Sequence, residues 1–347
     1  MNRALSIEEM AVLLVAGIGE AALASMDEDI LTRLRRGTNW ESMHGHTFRM
    51  FDEGVTFERG IADIKSVLHS GGDRLREQLR ETLGPHALDK VRDFLHQFVL
   101  EIATAVEPRQ LVVLVDDLEK FTVFRSEAAS VYQEMSDLFF FYSDLLKLPR
   151  CHTVYTVPPP LVLLNPGILD VFDGRVHLLP NVKIQSRPPK REPYAPGIGA
   201  LAQMIAMRVD LDRLFGTMRS VCTRRLVLAS GGHLRDLASL TKDVVIKGLG
   251  KGKELPLGIL EVEDVIAAHS ARRGNLCKDD LDILLEVSKF GDLWGIERSR
   301  LGALMGVMGR DLMLCYESDG FWYDVNPAVA YKIGLTHKLG SYALLDA

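Results

Sequence analysis

The chain has 347 residues, 47% of them hydrophobic and 25% charged, with a net charge of −6 and a pI near 6.0. That length supports two or three domains with their own cores, and the acidic balance argues against any general attraction to nucleic acid or an anionic membrane. Cys151, Cys222, Cys277 and Cys315 stand far apart with no CxxC pair, which argues against a disulfide framework or a zinc site and points to a reducing cytoplasm.

Residues 10–25 (MAVLLVAGIGEAALAS) are apolar, but Glu8, Glu9 and Glu20 flank or interrupt them. A signal peptide needs a basic start, and a membrane span needs about 20 clean apolar residues. Met10, Leu14, Ile18 and Ala21 repeat at helical spacing, which predicts an amphipathic core helix. Asp27 to Arg36, Ile61 to Leu83 and His86 to Val106 mix apolar and charged residues at the same spacing, so residues 1–105 read as helical.

Glu107-Pro108-Arg109 breaks that pattern, and LVVLV (111–115) follows, ending in Asp116-Asp117. A continuous run of apolar β-formers suits a strand buried on both faces of a parallel sheet. Tyr132, Met135, Leu138, Phe139, Tyr142 and Leu145 then share one helical face, and Cys151-His-Thr-Val-Tyr-Thr156 forms a second strand. Strand, helix, strand is a βαβ unit. A third strand is expected at Val182-Lys-Ile184, before a Pro/basic linker at residues 187–193 that marks a domain boundary.

Residues 197–248 read as helices joined at Ser230-Gly-Gly-His-Leu-Arg-Asp-Leu237, with one or two more helices over residues 261–290. Leu301, Leu304 and Met308 mark another helix. Leu312 to Tyr316 and Phe321 to Val325 flank Ser318-Asp-Gly, a β-hairpin signal. Helices ending in such a hairpin suggest a winged helix.

Chemistry concentrates at LVVLVDD. A strand that delivers a carboxylate to the C-terminal edge of an open α/β sheet presents it where such sheets bind ligands. One rigid carboxylate is what a Mg²⁺ site asks of a protein. In P-loop ATPases the Walker B strand has this form, with the next acid orienting the attacking water. Asp116 then serves Mg²⁺, through water, and Asp117 the water that attacks. The bland alternative is a pair of solvated acids at a strand end.

The whole run LVVLVDDLEKF, a long helix, HTVYTVPP, SGGHLRDL and FWYDVNPAV, in that order, resembles the AAA+ and STAND ATPases over roughly residues 105–335. The resemblance implies ATP and Mg²⁺ as cofactors. It implies Thr156 as the polar residue that senses the γ-phosphate and Arg235 as a lid arginine reaching the phosphates. Gly231 and Gly232 would form the glycine turn of the lid, beside the nucleotide. Arginine suits that role because its fork binds phosphate oxygens bidentately; otherwise Arg235 is a surface arginine paired with Asp236 or Asp243, and Thr156 a β-branched strand residue.

The expected fold is therefore α/β: a partial, AAA+-like P-loop parallel sheet with a helical lid and a C-terminal winged helix. The segments are 1–106, helices of an incomplete ATPase core; 107–190, the Walker B core; 191–270, the lid; and 271–347, the winged helix. One departure counts heavily. No G-x-x-x-x-G-K-[ST] run occurs, so the phosphate cradle is missing; Gly17-Ile-Gly19 lacks the lysine, and Gly248-Leu-Gly-Lys-Gly-Lys253 has the wrong spacing. A shortened gene model, a split gene and a degenerate ATPase all fit.

From Lys278 to Ala347 there are seven Lys/Arg against eleven Asp/Glu, a net of −4. That is not a DNA reader's footprint. A protein partner is expected through the winged helix or the helical N-terminus, self-association stays open, and Trp322 and Tyr323 are expected in a core or interface. His44 and His46 are too isolated for a metal site. The competing readings are a non-catalytic scaffold and, last, a DNA-binding regulator.

Overall fold

The computed structural model describes residues 7–37, 87–116, 136–157, 159–164, 167–172, 176–250, 255–273, 275–293 and 296–333. Asp117, the histidines at 44 and 46, and the helix expected over Ile61 to Leu83 lie outside them. The fold mixes helices with two small sheets, one of them parallel. No helix among the described residues is long and apolar enough to cross a membrane.

Two compact units divide the chain, Met1–Val176 and His177–Ala347. The first opens with α1 (Ile7–Ser25), α2 (Glu28–Gly37) and α3 (Ala87–Ala105). The expected stripe on α1 is in fact nearly an all-round burial: Ala11, Val12, Leu14, Val15, Ala16, Ile18 and Ala22 are buried, while Ala21 is exposed. A helix apolar on every side is one enclosed by its neighbours. It packs on α3, whose Val91, Leu95, Phe98 and Ile102 join the same core as Leu34 of α2.

LVVLV forms β1 (Leu111–Val115), and β2 is Cys151–Tyr155. They pair in parallel, Leu111 opposite Cys151 through Val115 opposite Tyr155. The chain between them is helical at residues 136–140 and in the short α4 (Ser143–Leu146), where Leu138, Phe139, Leu145 and Leu146 are buried in the core that also takes Val113. The short helices α5 (Pro159–Leu164) and α6 (Ile168–Val171) follow β2.

The second unit begins with an irregular segment. Residues 182–184 do not form the expected strand: the only bridge here is Gln185 with Pro193. The Pro/basic stretch turns back on itself and packs within this unit, its Arg191 side chain only 5% exposed. Next come α7 (Ala195–Ala206), α8 (Leu211–Phe215), α9 (Arg219–Ser230), α10 (Leu234–Gly248) and α11 (Ile259–Ala271), sharing a core through Leu201, Phe215, Leu226, Leu237, Leu240 and Val262. Then α12 (Lys278–Phe290), α13 (Leu301–Gly309), the antiparallel hairpin β3 (Met313–Glu317) and β4 (Phe321–Val325), and α14 (Pro327–Lys332) complete it. Trp322 stacks on Tyr316 at 4.4 Å and is buried, a core role for that aromatic. Cys277 caps α12, its sulfur accepting from the Asp280 N–H while Asp280 returns a bond to the Cys277 N–H.

Candidate functional site

Asp116 follows β1 directly and Thr156 follows β2. The Thr156 N–H donates to the Val115 carbonyl at 3.0 Å, extending the ladder by one bond past Tyr155. Because the strands are parallel and in register, Asp116 and Thr156 emerge side by side at the C-terminal edge. Asp116 is exposed and Thr156 half-buried. This is the one pair of sequence-expected site residues in the first unit that the described residues bring together. Among the described residues no group of three or more His, Cys, Asp or Glu is arranged to hold a metal ion.

The glycine turn lies in the second unit and joins α9 to α10. Gly231 (φ +64°) caps α9 in the left-handed region, and Gly232 continues at φ +80°. Ser230 Oγ accepts from the Gly232 N–H at 3.1 Å. Both glycines are enclosed by protein. A Cβ on Gly231 would sit 2.5 Å from Leu314 Cδ1 and 2.7 Å from Pro327 Cδ, and one on Gly232 would sit 1.9 Å from the Val182 carbonyl oxygen. Their small size is explained by packing against the hairpin and against the 181–184 segment.

Arg235 is in the first turn of α10 with its side chain 72% exposed, its Nη1 4.0 Å from Asp311 Oδ2. The partners the sequence offered it are taken elsewhere: Arg273 holds Asp236, and Arg272 holds Asp243 at 2.8 Å. Helix phase explains the difference, since Asp236 points inward with Leu237 and Leu240 while Arg235 points out.

The inward carboxylate is the group that sequence reading passed over. Asp236 is buried and meets His269 of α11, Arg273 just beyond that helix, His233 before its own helix, and Asn326 just after β4. His233 Nδ1 lies at 3.2 Å, His269 Nε2 at 3.5 Å, and Asn326 Nδ2 donates at 3.0 Å. Burial opposes its charge, but His233, His269, Asn326 and Arg273 together outweigh that and hold the carboxyl far below the usual carboxylate range. His233 and Asp236 stand three apart in SGGHLRDL, a visible i,i+3 pair; their other partners are 33 to 90 positions away. A second buried pair joins Asp324 of β4 to Arg191 through two bonds of 2.7 and 3.0 Å, with Gln185 donating at 2.8 Å. Burial pushes the Asp324 carboxyl up against the pull of Arg191. No protein-family model, no curated protein and no solved structure matches this chain.

Proposed function

We propose that this chain serves in a nucleotide-dependent switch ATPase of the AAA+/STAND kind, contributing the Mg²⁺-side carboxylate, a phosphate-sensing hydroxyl and a lid arginine. The observation that carries the reading is the parallel, in-register pair β1–β2, with Asp116 and Thr156 adjacent at its C-terminal edge, the edge at which open α/β sheets bind ligands. A carboxylate and a hydroxyl are hard oxygen donors, and a nucleotide-bound Mg²⁺ needs only one or two ligands from protein. Asp116 would hold that ion, which when bound offsets charge on the phosphates. Thr156 would donate to a terminal phosphate oxygen and Asp117 would orient a water, while Arg235, exposed on α10 of the second unit, has the fork that suits the lid role the resemblance gives it. The helices α12 and α13 with the β3–β4 hairpin read as a winged helix that faces a protein partner.

Since no G-x-x-x-x-G-K-[ST] run is in the sequence, the phosphate cradle has to come from another polypeptide segment, and residues 1–347 alone bind nucleotide weakly. Nuclear magnetic resonance with Mn²⁺·ATP at millimolar concentration suits weak binding. We expect paramagnetic broadening centred on the amides of residues 115–116 and 155–157, abolished by Asp116→Asn. Broadening spread over unrelated acids, or unchanged in the variant, sinks the reading. One observation favours a second reading, a non-catalytic scaffold on the same fold: the space beside the glycine turn is filled by the protein's own atoms, the Leu314 and Pro327 side chains and the Val182 backbone. Mn²⁺·ATP leaving the β1–β2 edge untouched would promote it.

A further inference from the structure

The second unit carries a buried polar cluster that the nucleotide reading does not use. The sequence divides this region into a helical lid and a separate hairpin domain, yet its buried polar contacts cross that division. Asn326, just after β4, donates to Asp236 on α10 at 3.0 Å and also to the Asp311 carbonyl at 3.0 Å. The same side chain accepts from the Ala328 N–H at 2.9 Å and so caps α14. Tyr316 Oη of β3 donates to the Gly231 carbonyl, and Ser270 Oγ of α11 donates to the Ala328 carbonyl. The irregular segment is laid between the two parts: the Asn181 N–H donates to the Cys315 carbonyl and the Val182 N–H to the Gly232 carbonyl. Gln185 and Arg191 then fix Asp324.

We propose that the glycine turn, the start of α10 and the hairpin with its following turn form a single coupled body, latched by Asn326 on Asp236. Displacing the hairpin therefore displaces Arg235, the residue just before Asp236 on α10. A buried polar group that loses its partner costs the full desolvation of that group, so the latch resists partial opening and the two parts move or unfold together. This inference rests on the geometry of the second unit and does not need the nucleotide reading.

Native-state hydrogen exchange of the whole chain, without nucleotide, tests it. Asn326→Ser keeps a hydroxyl able to cap α14 but is too short to reach Asp236. We expect amides of residues 235–240 and of β3 and β4 to exchange faster by a common factor of about tenfold or more, the effect of losing a hydrogen bond to a charged group. Acceleration confined to the hairpin and α14, with residues 235–240 unchanged, overturns the proposal. If the variant does not fold, the unaltered chain in low denaturant gives the answer. One shared opening, with the same denaturant dependence for α9, α10 and the hairpin, supports the latch; two separate openings refute it.

Discussion

Asp236 is a carboxylate that stays charged inside the protein because four side chains from three stretches of sequence converge on it. Removing the charge leaves Arg273, whose side chain is 14% exposed, as an uncompensated cation. Breaking a buried pair in this way costs about 3–5 kcal/mol. We therefore expect Asp236→Asn to lower the unfolding free energy measured in urea by an amount of that order. The double variant Asp236→Asn with Arg273→Met should recover part of the loss, because the stranded charge is gone. The carboxyl is held well below the usual range in the folded state. A depressed folded value means stability fully present above the unfolded carboxylate pKa, about 4, and lost as pH falls below it. The unaltered chain should thus lose stability between about pH 4 and pH 2 more steeply than Asp236→Asn. Parallel acid limbs for the two proteins would show that the cluster does not hold the charge as described.

Among elements, the glycine turn decides between two uses of the same residues. If Gly231 and Gly232 only bordered a nucleotide, replacing one would change binding and leave folding alone. Gly232 instead sits at φ +80° with its Cβ direction blocked by the backbone oxygen of Val182. A left-handed conformation costs a non-glycine residue about 1–2 kcal/mol, and a backbone atom cannot swing aside as a side chain does. We expect Gly232→Ala to destabilise the chain by more than about 2 kcal/mol in urea unfolding, and a loss under about 0.5 kcal/mol would return the turn to ligand chemistry. The elements that could be read from sequence were those with a local cause. LVVLV shows a strand by composition alone, though not one buried on both faces, since Val112 and Leu114 are exposed and only Val113 is buried; Ser318-Asp-Gly shows the hairpin, and the spacing of Leu301, Leu304 and Met308 shows α13. The strand expected at Val182 to Ile184 failed because the Val182 N–H donates to the Gly232 carbonyl of the glycine turn and the Ile184 carbonyl accepts from the Tyr194 N–H, neither of them in a strand. The Pro/basic stretch read as a linker because it is basic, but burial of Arg191 against Asp324, 133 positions away, cannot be seen locally. At the candidate site, Asp116 and Thr156 were visible as strand ends. The Asp236 cluster was hidden because only one of its partners is a sequence neighbour.

At the scale of the whole molecule, charge decides whether the helix-and-hairpin end of the chain reads DNA. The net charge is −6 overall, and DNA affinity needs Lys or Arg presented together to phosphates. Among the described side chains, Arg300 pairs with Glu286 at 2.9 Å, Arg310 with Asp280 at 2.8 Å and Arg187 with Asp292 at 3.0 Å. Of the acids that the sequence sets along the hairpin, Asp324 does not face outward; it is buried on Arg191. Glu317 and Asp319 are exposed where a wing would approach the duplex backbone, and with Asp279 and Glu297 they offset the exposed Lys278, Lys289 and Lys332. The winged-helix shape on this charge distribution suits a protein surface better than a phosphate backbone. We expect no measurable binding of the intact chain to duplex DNA at about 0.15 M salt, where screening leaves only close contacts effective. Fluorescence anisotropy over a salt series checks it. Submicromolar affinity that weakens steeply with salt would mean that a basic face forms despite these pairings, and would move the DNA-binding regulator ahead of the protein switch.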